Sequence, residues 1–240
     1  NTSFIQKALA DLQKSKDAFA SLLEQAELGD PSAQYELAVR YMEGTGTKKD
    51  SVEAFHWFQE SAEQGDLQAI AALGRCYQYG IGTLRDLRRA KEQYENAAEQ
   101  DYAPALCDLG FYYEKGIGGP IDKDAAFDCY SRAAEQEYLP GICCLGFCYE
   151  AGIGTQQDLA RAAELYAQAA GQGYAPAQCN LGFFYFEGIG CSVNPERAVE
   201  LFRRAAAQRF PRALDLLGSC YYDGFGVKQD FHTAADYYAQ

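Results

Sequence analysis

Several residue types that carry chemistry are scarce in this chain of 240 residues: it holds 2 histidines, 1 methionine and 1 tryptophan. Positive charge is in the minority. Lys and Arg number 21 against 34 Asp and Glu, a formal net charge of −13. A broad nucleic-acid footprint needs clustered positive charge, so this balance argues against one. No apolar run approaches the ~20 residues that span a bilayer, which argues against membrane insertion of this stretch as a helix. Proline is sparse at 7 while glycine reaches 23, so glycines mark recurring turns. Apolar residues make up 48% and charged residues 23%, enough to bury a core and against wholesale disorder. The length suits one large domain or two small ones.

The 9 cysteines are an odd number, so within one chain at least one is unpaired. Their density is below that of a small disulfide scaffold. They are expected as small buried hydrophobes, which points to a reducing, cytoplasmic compartment. The only glycosylation sequon is Asn1-Thr2-Ser3, at the very start.

The chain repeats with a period of 36 and no insertion. Leu37, Leu73, Leu109, Leu145, Leu181 and Leu217 form one column. Gly74 and Gly146 belong to the next, and Tyr41, Tyr77, Tyr113, Tyr149, Tyr185 and Tyr221 follow. Two glycine columns include Gly80 and Gly152, then Gly82 and Gly154. An Asp or Asn column runs Asp50, Asp86, Asp122, Asp158, Asn194, Asp230. Ala162, Tyr166 and Ala170 represent the last three columns. Leu145 and Tyr149 lie four apart on one face of a first helix, and Ala162, Tyr166 and Ala170 on one face of a second. The glycine pair ends the first helix, where left-handed backbone is cheapest for Gly. The Asp or Asn column caps the second helix, and Pro195 fits its first position. Each unit is a helical hairpin that buries its apolar face only by stacking on neighbours, which makes an all-α solenoid.

These columns, A-x3-L-G-x2-Y-x2-G-x-G, then Asp, then A-x3-Y-x3-A, resemble the Sel-one-like repeat, a relative of the tetratricopeptide repeat. The resemblance covers residues 33–240 and implies a right-handed α/α superhelix. Repeats are expected over 33–68, 69–104, 105–140, 141–176 and 177–212, with a truncated sixth over 213–240. Ala18, Leu22, Ala26 and Gly29 fall on the same lattice, so residues 1–32 are expected as a capping helix or degenerate half-repeat, with 3–28 as one long helix. Gln240 falls inside a second helix with no capping repeat after it, so the array is expected to continue.

Catalytic signatures fail in turn. His56 and His232 occupy different repeat positions five units apart, and share no metal. The glycine loops match neither phosphate-loop pattern and are explained as hairpin joints. No Ser has Lys three residues on, so the S-x-x-K nucleophile is absent. Cys143, Cys144 and Cys148 lack a C-x-x-C or histidine partner for zinc. Cys107, Cys143 and Cys179 form a ladder on adjacent helices ~8–10 Å apart, too far for disulfides. No metal or cofactor is expected.

Alignment with tetratricopeptide arrays implies that first helices line a concave groove. One groove column reads Val39, Arg75, Phe111, Phe147, Phe183, Ser219. The next reads Met42, Gln78, Glu114, Glu150, Phe186, Tyr222, and the next Glu43, Tyr79, Lys115, Ala151, Glu187, Asp223. These columns predict an aromatic strip flanked by carboxylates, unless curvature buries the phenylalanines between units. The expected function is a non-catalytic scaffold or adaptor. Its partner is a protein or peptide with apolar anchors and basic residues. The alternatives are a hydrolase acting on cell-wall or β-lactam compounds, which the resemblance alone suggests, and a passive spacer in a larger regulator.

Overall fold

The computed structural model describes residues 2–240, with side chains from Gln6 onward. Asn1, the acceptor residue of the sequon, lies outside them. Among the described residues there are 13 helices and no strand. The chain divides into two compact units: residues 1–112 with 116–120, and residues 113–115 with 121–240.

The first unit opens on α1 (Thr2–Glu27), one unbroken helix. It continues through α2 (Pro31–Glu43), α3 (Ser51–Glu63), α4 (Leu67–Tyr79) and α5 (Leu87–Glu99), and holds most of α6 (Ala103–Lys115). The second unit holds α7 (Lys123–Glu135), α8 (Leu139–Ala151), α9 (Leu159–Gly171), α10 (Ala175–Glu187), α11 (Pro195–Ala206), α12 (Pro211–Asp223) and α13 (Phe231–Tyr238). Even-numbered helices are the first of each hairpin and odd-numbered ones the second.

Capping chemistry sets these boundaries. Asp50, Asp86, Asp122, Asp158, Asn194 and Asp230 each accept from backbone N–H groups opening α3, α5, α7, α9, α11 and α13. Such a cap is worth ~1 kcal/mol. Gly80 and Gly152 close α4 and α8 in left-handed conformation, φ 70° and 68°. First helices are capped less uniformly. Asp30 and Asp66 accept from Ala33 and Ala69, while Tyr138, Tyr174 and Phe210 stand at the same position without a side-chain bond.

The core of each hairpin is the conserved-period set. Ala54, Ala90, Ala162, Ala198, Tyr94, Tyr166 and Phe202 are fully buried. A Cβ on Gly74 would sit 2.6 Å from Tyr94 Cε1, and one on Gly146 2.9 Å from Tyr166 Cε1. Glycine is thus what lets the second-helix ring lie flat on the first helix. The second glycine of each joint seats it on the preceding hairpin. A Cβ on Gly82 would collide with Ser51 O and Phe55 Cβ, and one on Gly154 with Lys123 O and Phe127 Cβ. Gly46 meets Ser15 O and Phe19 Cβ in the same way. Phe19 packs edge-on to Tyr41 at 5.3 Å, as Phe55 does to Tyr77 at 5.5 Å and Phe127 to Tyr149 at 5.6 Å. The C-terminal half of α1 therefore acts as the second helix of a preceding half-repeat.

Candidate functional site

The groove columns divide by depth. In the first unit Phe111 is 42% exposed on α6. In the second, Phe147 on α8 is 41% exposed and Phe183 on α10 half-buried. Tyr222, Glu187 and Asp223 are exposed. Phe186 differs: it stacks on Phe183 at 6.3 Å and turns into the core against Phe202 at 6.2 Å and Phe225 at 4.5 Å. Arg75 and Tyr79 lie in the first unit, where Arg75 lowers the Asp108 carboxyl that burial raises.

Glu114 and Glu150 have a structural partner each. Tyr130 Oη donates to Glu114 Oε2 at 3.2 Å, and Tyr166 Oη to Glu150 Oε2 at 2.6 Å. In the first unit Tyr94 Oη donates to Gln78 Oε1 at 2.7 Å. These bonds satisfy phenol groups on rings that are nearly or wholly buried. Where the second helix carries Phe202, the first carries Phe186, and where it carries Phe58, the first carries Met42. In these five units the two columns change together, because a phenol needs an acceptor and a phenyl needs a hydrocarbon; in the sixth, the Tyr238 hydroxyl meets Ser219 instead, at 3.0 Å.

One cavity of about 290 Å³ lies on the first-helix face of the second unit. Cys143, Phe147, Glu150, Asn180, Phe183 and Arg212 are among its walls. Arg212 Nη1 donates to Asn180 Oδ1 at 3.0 Å, and its guanidinium carbon is 5.2 Å from the Phe183 ring centroid. Asn180 Nδ2 reaches Cys143 Sγ at 3.7 Å. Burial pushes the Cys143 thiol up to about 12, so it is no nucleophile at neutral pH. The sequence reading missed Asn180 and Arg212. The signal was present: Asn180 stands where other units have Ala72, Asp108 and Cys144, and Arg212 where they have Pro104, Pro140 and Pro176. In the first unit a cavity of about 520 Å³ is lined by Tyr35, Val39, Arg40 and Glu43, two of them from the groove columns.

All nine cysteines are free thiols. Burial pushes Cys148 up to about 12 and Cys76, Cys129, Cys179 and Cys220 to about 11. Among the described residues no group of His, Cys, Asp and Glu could hold a metal, and no helix is long and apolar enough to cross a membrane. His56 lies beside Trp57, its ring 5.4 Å away, and His232 is exposed near Asp236.

Helical hairpins on a fixed period, joined by glycine turns and without a strand among the described residues, define an all-α repeat solenoid. The chain belongs to the Sel1 repeat family: the Sel1 repeat model matches residues 31–66, 67–102, 103–138, 145–174, 175–210 and 211–240. Most of these matches begin at first-helix starts, two residues ahead of the alanine column. The crystal structure of a protective antigen of uropathogenic Escherichia coli displaying an SLR fold is 33% identical, with a TM-score of 0.75 over 92% of this chain. This chain spans 47% of that antigen's length. A Sel1 repeat protein from Oxalobacter formigenes is 27% identical, with a TM-score of 0.85, covering 98% of this chain and 94% of that one. An immunity protein from Pseudomonas aeruginosa shares the fold at 20% identity and a TM-score of 0.63, covering 87% of this chain and 80% of it. Comparison with curated proteins finds no match. Sel1 repeat proteins are in general protein-interaction scaffolds, typically without catalytic activity.

Proposed function

We propose that this chain is a non-catalytic adaptor that holds a protein or peptide segment on the concave face formed by its first helices. The observation that carries this reading is the exposure of Phe147 and Tyr222, 41% and 55%, on first helices of the second unit. Exposed aromatics that recur on one face mark a binding surface better than scattered apolar residues do. Glu187 and Asp223 lie exposed on the same columns, and the chain carries a net charge of −13. Apolar side chains with neighbouring Lys or Arg complement that surface. Affinity comes from several shallow contacts along the array.

The test is affinity capture from the source cell's lysate with wild type beside Phe147→Ala, Glu187→Lys. Glu150 is unsuitable for this purpose, because Lys there would also unlatch Tyr166. A partner held by wild type and lost by the variant, with unchanged helicity, is the expected result. Retention by the variant refutes the face assignment.

A further inference from the structure

We propose that the cavity between α8, α10 and α12 is a subsite for a peptide C-terminus, taking the α-carboxylate on Arg212 and the last apolar side chain between Phe147 and Phe183. This deepens the binding-face reading above and rests on it. Arg212 is exposed and its partners are neutral: the Asn180 amide oxygen at 3.0 Å and the Phe183 ring at 5.2 Å. Among the described residues no carboxylate stands within ion-pair distance of it. The Asn180 amide is fixed from its other side, where Nδ2 reaches Cys143 Sγ at 3.7 Å. A guanidinium aimed in this way keeps unused N–H donors in the rigid fork that matches a carboxylate.

Three features favour a chain end over an internal acidic residue. The cavity, about 290 Å³, is at the small end of the ~300–1,000 Å³ range of ligand pockets, so it suits little more than one residue. The cation lies directly against the aromatic wall, so charge and apolar group must come from one residue. In an extended segment neighbouring side chains point to opposite faces, so an internal acid beside an apolar residue would leave one of the two outside. The terminal residue alone offers both on one carbon. Glu150, on another wall, is placed as an acceptor for N–H groups of the incoming chain.

The test is a titration of N-acetyl-Gly-Ser-Ala-Leu as free acid, the same peptide as C-terminal amide, and N-acetyl-Ser-Leu-Asp-Ala amide. Calorimetry gives affinity, and the Asn180 side-chain amide resonance gives location. The free acid should bind at least tenfold tighter than either amide and shift that resonance. Arg212→Gln, at an exposed position, should erase the preference without loss of helicity. Equal binding of acid and amide, preference for the internal aspartate, or a preference surviving Arg212→Gln overturns the subsite. No binding of any peptide, while Phe147→Ala, Glu187→Lys still loses its captured partner, refutes the subsite and leaves the binding face standing. If that variant keeps its partner, both fail.

Discussion

Asp108, on α6, has its carboxyl pushed up to about 6 by burial, with Arg75 pulling the other way. Around it in the first unit stand Arg75 and the phenols of Tyr94, Tyr102 and Tyr112. The folded chain therefore favours the protonated acid. That stabilisation is complete below ~4, the unfolded value for Asp, and is lost as pH rises through about 6. Urea titrations at pH 4 and pH 7 should show a loss on the order of 2 kcal/mol from this group. Asp108→Asn should remove it; an unchanged pH slope in that variant would contradict the burial argument. Backbone strain is stored elsewhere. Glu137 and Arg209 adopt φ 58° at the turn position held in other repeats by Gly29, Gly65 and Gly173. Left-handed backbone costs a non-glycine residue ~1–2 kcal/mol, part of which glycine returns as chain entropy. Glu137→Gly and Arg209→Gly should each raise stability by about 0.5–1 kcal/mol in urea unfolding. The sequence displays this position through its three glycines, yet gives no sign that the other residues keep the same φ.

Within a hairpin, the bond from Tyr166 to Glu150 ties second helix to first. Tyr166→Phe should cost ~1.5–3 kcal/mol, the worth of a hydrogen bond to a charged group. Glu150→Gln should cost less, since Gln78 already serves Tyr94 in this way. The joints are less tolerant. Gly154→Ala drives a methyl into Lys123 O and Phe127, and Gly82→Ala into Ser51 O and Phe55. Each should lower stability by ~1–3 kcal/mol, read by thermal or urea unfolding. Helix ends, joints and the buried alanine and tyrosine columns were legible because each repeats one local chemical need. The latch was legible only in part. The acceptors and the tyrosines both form visible columns, and Met42 with Phe58 and Phe186 with Phe202 mark where both change. Taken as a groove column alone, Glu114 and Glu150 read as ligand-facing acids, and Phe186 as an exposed anchor rather than a core ring. Periodicity tells which face a residue shares, but depth on that face depends on what the partner helix carries.

Across the molecule, reactivity and charge follow from the same stacking. Cys191 is exposed, whereas the buried thiols are held up near 11–12. Alkylation of the native chain should modify Cys191 first and the buried thiols only on unfolding, as peptide mapping would show. The acidic surface, with a net charge of −13, should make partner association slow as ionic strength rises. The repeat period shows which residues share the first-helix face, whereas the Arg212–Asn180 pair was harder to see, because Asn180 stands in a column with no repeated residue, Arg212 departs from a run of prolines, and the two columns meet only in space. The measurement that tests the central claim most directly is hydrogen exchange of the chain with and without its captured partner. Protection should concentrate on the first helices, at Phe147–Glu150 of α8 and Phe183–Glu187 of α10. Protection confined to the second helices, α9 and α11, would contradict the account.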